Sequence, residues 1–194
     1  MYKEILSGLA IALTLYAFIP YIRSILRGKV KPHLFSWLIW GTTTFVIFLA
    51  ALSDGGGAGA WPIGVSGLIT LYITYLAYRH SAESLITRTD WSFFIAALSA
   101  LPVWFFTADP LWAVVILTTV DLLGFGPTFR KAYALPFEEN IGFFMLFTVR
   151  NFLVMVAMEH YSLTTLLFPA LVSLACLLLI LMIVLRRRVL AKVD

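Results

Sequence analysis

Two charged side chains stand where this chain can least accommodate them. Asp121 lies inside the apolar run LTTVDLLGFGPTFRK at 117–131, and Arg150 inside GFFMLFTVRNFLVMV at 142–156. A carboxylate and a guanidinium in such surroundings can neutralise each other, or can hold a polar solute by charge and hydrogen bonds. Asn151, next to Arg150, adds a donor and an acceptor on one short side chain. Ser66, Thr70 and Thr74 recur every four residues and so form one stripe of a helix. Their hydroxyls either line a polar passage or bond the carbonyl one turn back. Trp37 and Trp40 offer either anchors at a membrane interface or flat walls for a stacked ring.

No arrangement of residues suits enzymatic chemistry, and no cofactor is expected. His33, His80 and His160 fall in loops on two sides of the predicted membrane, so they cannot assemble a metal site. Glu138 and Glu139 read as a solvated turn. The stretch GGGAGA at 55–60 lacks the lysine that follows a phosphate-binding loop. The last apolar run carries no lysine for a retinal-type chromophore.

The elements that must position these residues follow from composition. Of 194 residues, 61% are hydrophobic and 12% charged, and the mean hydropathy is +0.95. A soluble core of this size has no use for so much apolar surface, so the chain is expected to be an integral membrane protein partnered by the lipid bilayer. The net charge of +4 is not gathered into a basic stripe interleaved with aromatics, which argues against nucleic acid. The single cysteine, Cys176, has no intramolecular partner and reads as helix packing.

A helix that crosses the hydrocarbon needs roughly 17–25 apolar residues, because its backbone must be paired internally. Seven runs qualify, at about 5–22, 34–52, 61–78, 91–107, 111–127, 141–158 and 163–185. The first has neither a basic leader nor a cleavage site and is read as a retained span. Arg23, Arg27, Lys29 and Lys31 fill the first loop, Arg79 and Arg88 the third, Arg130 and Lys131 the fifth, and Arg186, Arg187, Arg188 and Lys192 the tail. Twelve of the fourteen basic residues thus fall on one side. The predicted arrangement has the N-terminus outside and the C-terminus in the cytoplasm, in a bacterial inner membrane. Trp61 and Trp112 at outer ends and Trp91 at an inner end suit the interfaces. Asp121 is then ~15 Å and Arg150 ~12 Å from the outer surface, at 1.5 Å per residue. Their spans, the fifth and sixth, are read as antiparallel neighbours, so the two charges are expected to meet near the midplane.

The chain also repeats itself. An offset of 107 residues carries Pro20 onto Pro127, Arg23 onto Arg130, Phe45 onto Phe152, Pro62 onto Pro169, Ser66 onto Ser173 and Arg79 onto Arg186 without a gap. Spans 1–3 map onto spans 5–7, and the odd fourth span restores the orientation, giving two parallel repeats about an axis along the membrane normal. The division is 1–80 for the first three-helix repeat, 81–109 for the linker helix, and 110–194 for the second repeat with its basic tail. The repeat mates of Asp121 and Arg150 are Thr14 and Thr43. Pro20 and Pro127 each remove a helical hydrogen bond near the cytoplasmic ends and read as paired hinges. Pro62 and Pro169 read as first-turn helix starts.

The 3+1+3 plan, the outside N-terminus and the matched prolines followed by basic loops resemble the SWEET and PQ-loop (MtN3/saliva-like) transporters. The segment PYIRSILRGKVKPHLFSWLIW at 20–40, with Ser36-Trp37 opening the second span, is similar to their signature. Tyr21 and Thr128 stand where the naming glutamine would be, and the prolines and asparagines of sugar carriers are missing from spans 2, 6, 3 and 7. Nicotinamide riboside carriers share this type of architecture. The resemblance implies a transporter of a small polar solute by alternating access, with Trp37 as a stacking wall.

The expected solute site comprises Asp121, Arg150, Asn151, Trp37, Thr43, Ser66, Thr70 and Ser173, with hinges at Pro20 and Pro127. A close Arg150 would favour a facilitator over a proton-coupled pump. The other reading is a non-transporting scaffold or receptor subunit in which Asp121 and Arg150 form a structural pair. Solute identity is left open, as is assembly into a homo-oligomer.

Overall fold

The computed structural model describes residues 1–28, 32, 34–80, 88–134, 136–138 and 141–190. Every regular element among them is helical: α1 (Tyr2–Leu26), α2 (Leu34–Ser53), α3 (Trp61–His80), α4 (Arg88–Thr107), α5 (Pro110–Ala134), α6 (Ile141–Ala157) and α7 (Leu163–Leu190). Two 3-10 turns, Gly57–Ala60 and Pro136–Glu138, precede α3 and α6. Lys29, Lys31, His33, Glu139 and Lys192, invoked above for loop charge or chemistry, lie outside the described residues.

Three stretches, Tyr2–Leu26, Gly57–Arg79 and Leu163–Leu190, are long and apolar enough to cross a membrane, and four shorter apolar helices accompany them. Large apolar side chains cover the outside, as at Phe105 and Phe106, while alanines fill the interior, among them Ala10, Ala50, Ala77, Ala100 and Ala113. Small side chains let helix backbones approach where no water can drive them together. Gly67 of α3 illustrates this, since a Cβ there would lie 3.0 Å from the Phe45 backbone nitrogen of α2.

Local chemistry accounts for the helix ends. Gly28, at φ +67°, follows the last turn of α1 in the left-handed region that glycine tolerates. Asp109 caps α5 by accepting the Leu111 N–H at 2.9 Å, one residue before Pro110, which suits a first turn. Ser162 and Thr165 exchange side-chain and backbone hydrogen bonds at the start of α7.

Several helices outrun their hydropathic cores. Arg23 belongs to the last turn of α1, and Pro127 lies within α5. Pro169 is a correction: α7 begins at Leu163, so this proline is inside the helix and not in its first turn. A second correction concerns neighbours. In each triad the third helix packs on both of the others, α3 on α1 and α2, α7 on α5 and α6. The first two helices of a triad are therefore held apart, and among the described residues α5 and α6 do not pack against each other. The triads meet through α1 with α6 and α2 with α5, and α4 sits against α5 and α2.

Candidate functional site

Where the triads meet, α1, α2, α5 and α6 place Thr14, Thr43, Asp121 and Arg150 near mid-helix. The expected ion pair does not form, because α7 stands between α5 and α6. Arg150 instead reaches α1 and α3. Its Nε donates to Thr14 Oγ1 at 3.2 Å, one Nη to the Asn151 side-chain oxygen at 2.7 Å, and the other to the Pro62 carbonyl at 2.6 Å. Asp121 Oδ1 accepts from the Thr43 hydroxyl at 3.0 Å. Among the described residues neither charge has an ionic partner, so Arg150 gives no reason to favour a facilitator over a proton-coupled pump.

These partners are the repeat mates exchanged. Thr14 is equivalent to Asp121 and Thr43 to Arg150, so the Thr14–Arg150 contact maps onto the Asp121–Thr43 contact under the 107-residue offset. A two-fold operation that swaps the triads converts one contact into the other, which is the signature of an isologous interface. Threonine serves both because a hydroxyl donates and accepts. Thr14 gives its proton to the Ala10 carbonyl at 2.8 Å and accepts from Arg150. Thr43 turns its hydroxyl toward the carboxylate and the Trp40 carbonyl, at 3.0 and 3.1 Å.

Asp121 and Arg150 border one cavity of about 250 Å³, together with Asn151, Ser66 and Thr70. Arg150 is 3% exposed and Asn151 fully buried. Thr70 and Thr74 both bond the carbonyl one turn back, at 2.8 and 3.1 Å, so their stripe is self-satisfied; Thr70 still faces the cavity and Thr74 does not. Ser173, expected to match Ser66, is buried outside the cavity lining, and its hydroxyl has no hydrogen-bond partner among the described residues.

Of a second tier the sequence pointed only to Trp40. One turn from the polar residues, toward the basic loops, stand Phe18, Trp40, Phe125 and Phe147, all in the cavity wall. Phe18 and Phe125 each follow Thr14 or Asp121 by four residues, and Trp40 and Phe147 each precede Thr43 or Arg150 by three. They too are repeat mates in pairs, and that shared offset was the available signal. Trp37 lies beyond them, stacked on Tyr21 at 5.0 Å and meeting Trp40 edge-on at 5.6 Å. Trp37 is also part of the cavity wall.

The opposite end is closed by loops from both triads. The Glu159 N–H donates to the Gly56 carbonyl at 3.1 Å, and a Glu159 carboxylate oxygen accepts the Ala58 N–H at 3.1 Å. Lys3 reaches the Met158 carbonyl at 2.6 Å, Ser162 donates to the Asp54 carboxylate, and His160 lies 3.4 Å from the same carboxylate. Gly59 makes the approach feasible, since a Cβ there would fall 2.4 Å from the Met158 nitrogen.

No family model, no curated protein and no solved structure matches the chain.

Proposed function

We propose that this chain is a membrane carrier that moves a small polar solute by alternating access between its two three-helix units. The observation that carries the reading is the cavity between the triads, in which a carboxylate and a guanidinium stand unneutralised by each other. Ionised groups in an apolar interior are costly and normally face a partner or a watery site, at about 2.5–3.5 kcal/mol each on insertion scales. A scaffold would gain from closing the pair, and here each charge is kept on neutral groups instead. The clasp of Asp54, Gly56, Glu159 and Ser162 then acts as a closed outer gate, and the aromatic tier leads toward the basic, cytoplasmic side of a bacterial inner membrane.

In this reading all seven helices cross the bilayer, with the N-terminus outside. Pro20 and Pro127 let α1 and α5 bend as the triads rock, each lying beyond the aromatic tier on the basic-loop side. Kinship with the SWEET and PQ-loop transporters belongs to the same proposal. It is supported by the 3+1+3 order, the 107-residue repeat and the contacts exchanged between repeat mates.

Purified protein in liposomes, offered labelled sugars, nucleosides, amino acids and organic acids, tests the reading. Saturable entry of one class that Asp121→Asn abolishes supports it. Entry no faster than in protein-free liposomes for every class counts against it.

A further inference from the structure

We propose that the solute is a small zwitterion with a flat apolar body, its anionic group on Arg150 and its cationic group on Asp121. This rests on the carrier reading and specifies its cargo.

Charge balance comes first. The cavity wall holds one buried cation and one carboxylate, each with neutral protein partners. Three of the five guanidinium N–H donors of Arg150 are engaged, which leaves two for a ligand. Asp121 uses one oxygen on Thr43 and keeps some surface open. A solute with a single charge would match one of these groups and leave the other unmatched in an apolar interior; a neutral sugar would match neither. A zwitterion matches both and adds no net charge to the membrane.

Shape and size follow from the tiers. The charged residues Asp121 and Arg150 stand near mid-helix, and Phe18, Trp40, Phe125 and Phe147 follow one turn away, with Trp37 and Thr128 beyond. A ligand seated there has a charged head and a flat or apolar tail, since ring faces favour stacking and exclude polar groups. The 250 Å³ of space corresponds to roughly eight waters at about 30 Å³ each, enough for a head and one ring. An aromatic amino acid has that form.

The test is equilibrium binding to purified full-length protein in detergent, read by tryptophan fluorescence. The probes are L-phenylalanine, 3-phenylpropionate, which lacks the ammonium group, 2-phenylethylamine, which lacks the carboxylate, and D-glucose. Phenylalanine should bind about 10–100-fold more tightly than either single-charge analogue, as expected when a buried charge loses its partner. Asp121→Asn should erase the preference over phenylpropionate and keep the preference over phenylethylamine. Arg150→Lys, chosen to keep the charge that anchors α6, should weaken phenylalanine and phenylpropionate while leaving phenylethylamine alone. Equal binding of all three aromatic probes, no binding of any, or tighter binding of glucose overturns the proposal. Phenylalanine that binds in this pattern without crossing liposomes upholds the ligand class and sinks the carrier reading. Glucose that crosses while phenylalanine fails to bind does the reverse.

Discussion

Replacing Asp121 by Asn separates a transport site from a structural pair by the sign of its effect on stability. Asparagine keeps the shape of the side chain and an oxygen for the Thr43 hydroxyl, now 3.0 Å away, and removes the charge. Burying the charge costs about 2.5–3.5 kcal/mol on insertion scales. Its hydrogen bond weakens from the range of about 1.5–3 kcal/mol for a charged partner to about 0.5–1.5 for a neutral one. The net expectation is a gain of about 1–2 kcal/mol, because Arg150 is held by Thr14, Asn151 and Pro62 and loses nothing. At roughly 2–4 °C per kcal/mol for a chain of this length, the midpoint should rise by about 2–8 °C. Thermal unfolding in detergent, followed by the emission of the six tryptophans, measures it. Breaking a buried ion pair would instead cost about 3–5 kcal/mol. A midpoint lowered by about 6 °C or more would refute the placement of the two charges on separate partners.

Thr14→Val should destabilise by about 1–3 kcal/mol, because it strips a buried guanidinium donor of its acceptor, and the same unfolding assay reads it. Gly124→Val puts bulk against Trp40, whose Nε1 would lie 3.2 Å from the new Cβ. Solute flux should fall at least tenfold while helix content by circular dichroism stays unchanged, and undiminished flux would remove Trp40 from the pathway. Gly59→Ala should lower stability by about 1–3 kcal/mol through overpacking against Met158. It should also loosen the outer clasp, so that Cys176 in the cavity wall reacts faster with an impermeant thiol reagent applied from that side; an unchanged rate would show that the clasp is not the gate.

The helices were legible because hydropathy alone dictates them, and the repeat because prolines and arginines are scarce enough in this chain to mark a register. What the sequence concealed was adjacency. The sequence suggests the fifth and sixth helices as neighbours, whereas α7 inserts between α5 and α6 as α3 does between α1 and α2, and no periodicity encodes that order. The error passed directly into the site, since it produced an Asp121–Arg150 pair. The actual partners are the repeat mates Thr14 and Thr43, which a two-fold operator applied to contacts, and not only to positions, identifies. The aromatic tier was hidden for another reason. Sixteen phenylalanines in a lipid-facing chain look alike until Phe18, Phe125 and Phe147 are indexed against the polar residues one turn away. Ser173 marks the limit of symmetry, because its mate Ser66 reaches the cavity and it does not.

Counterflow in proteoliposomes tests the central claim most directly. Vesicles loaded with unlabelled solute and diluted into a trace of the same labelled solute should take up label transiently above its equilibrium level, as only a carrier that returns loaded can do. The account predicts that overshoot for the wild-type protein and none for Asp121→Asn. A monotonic approach to equilibrium in the wild type, or an overshoot that survives in the variant, would contradict it.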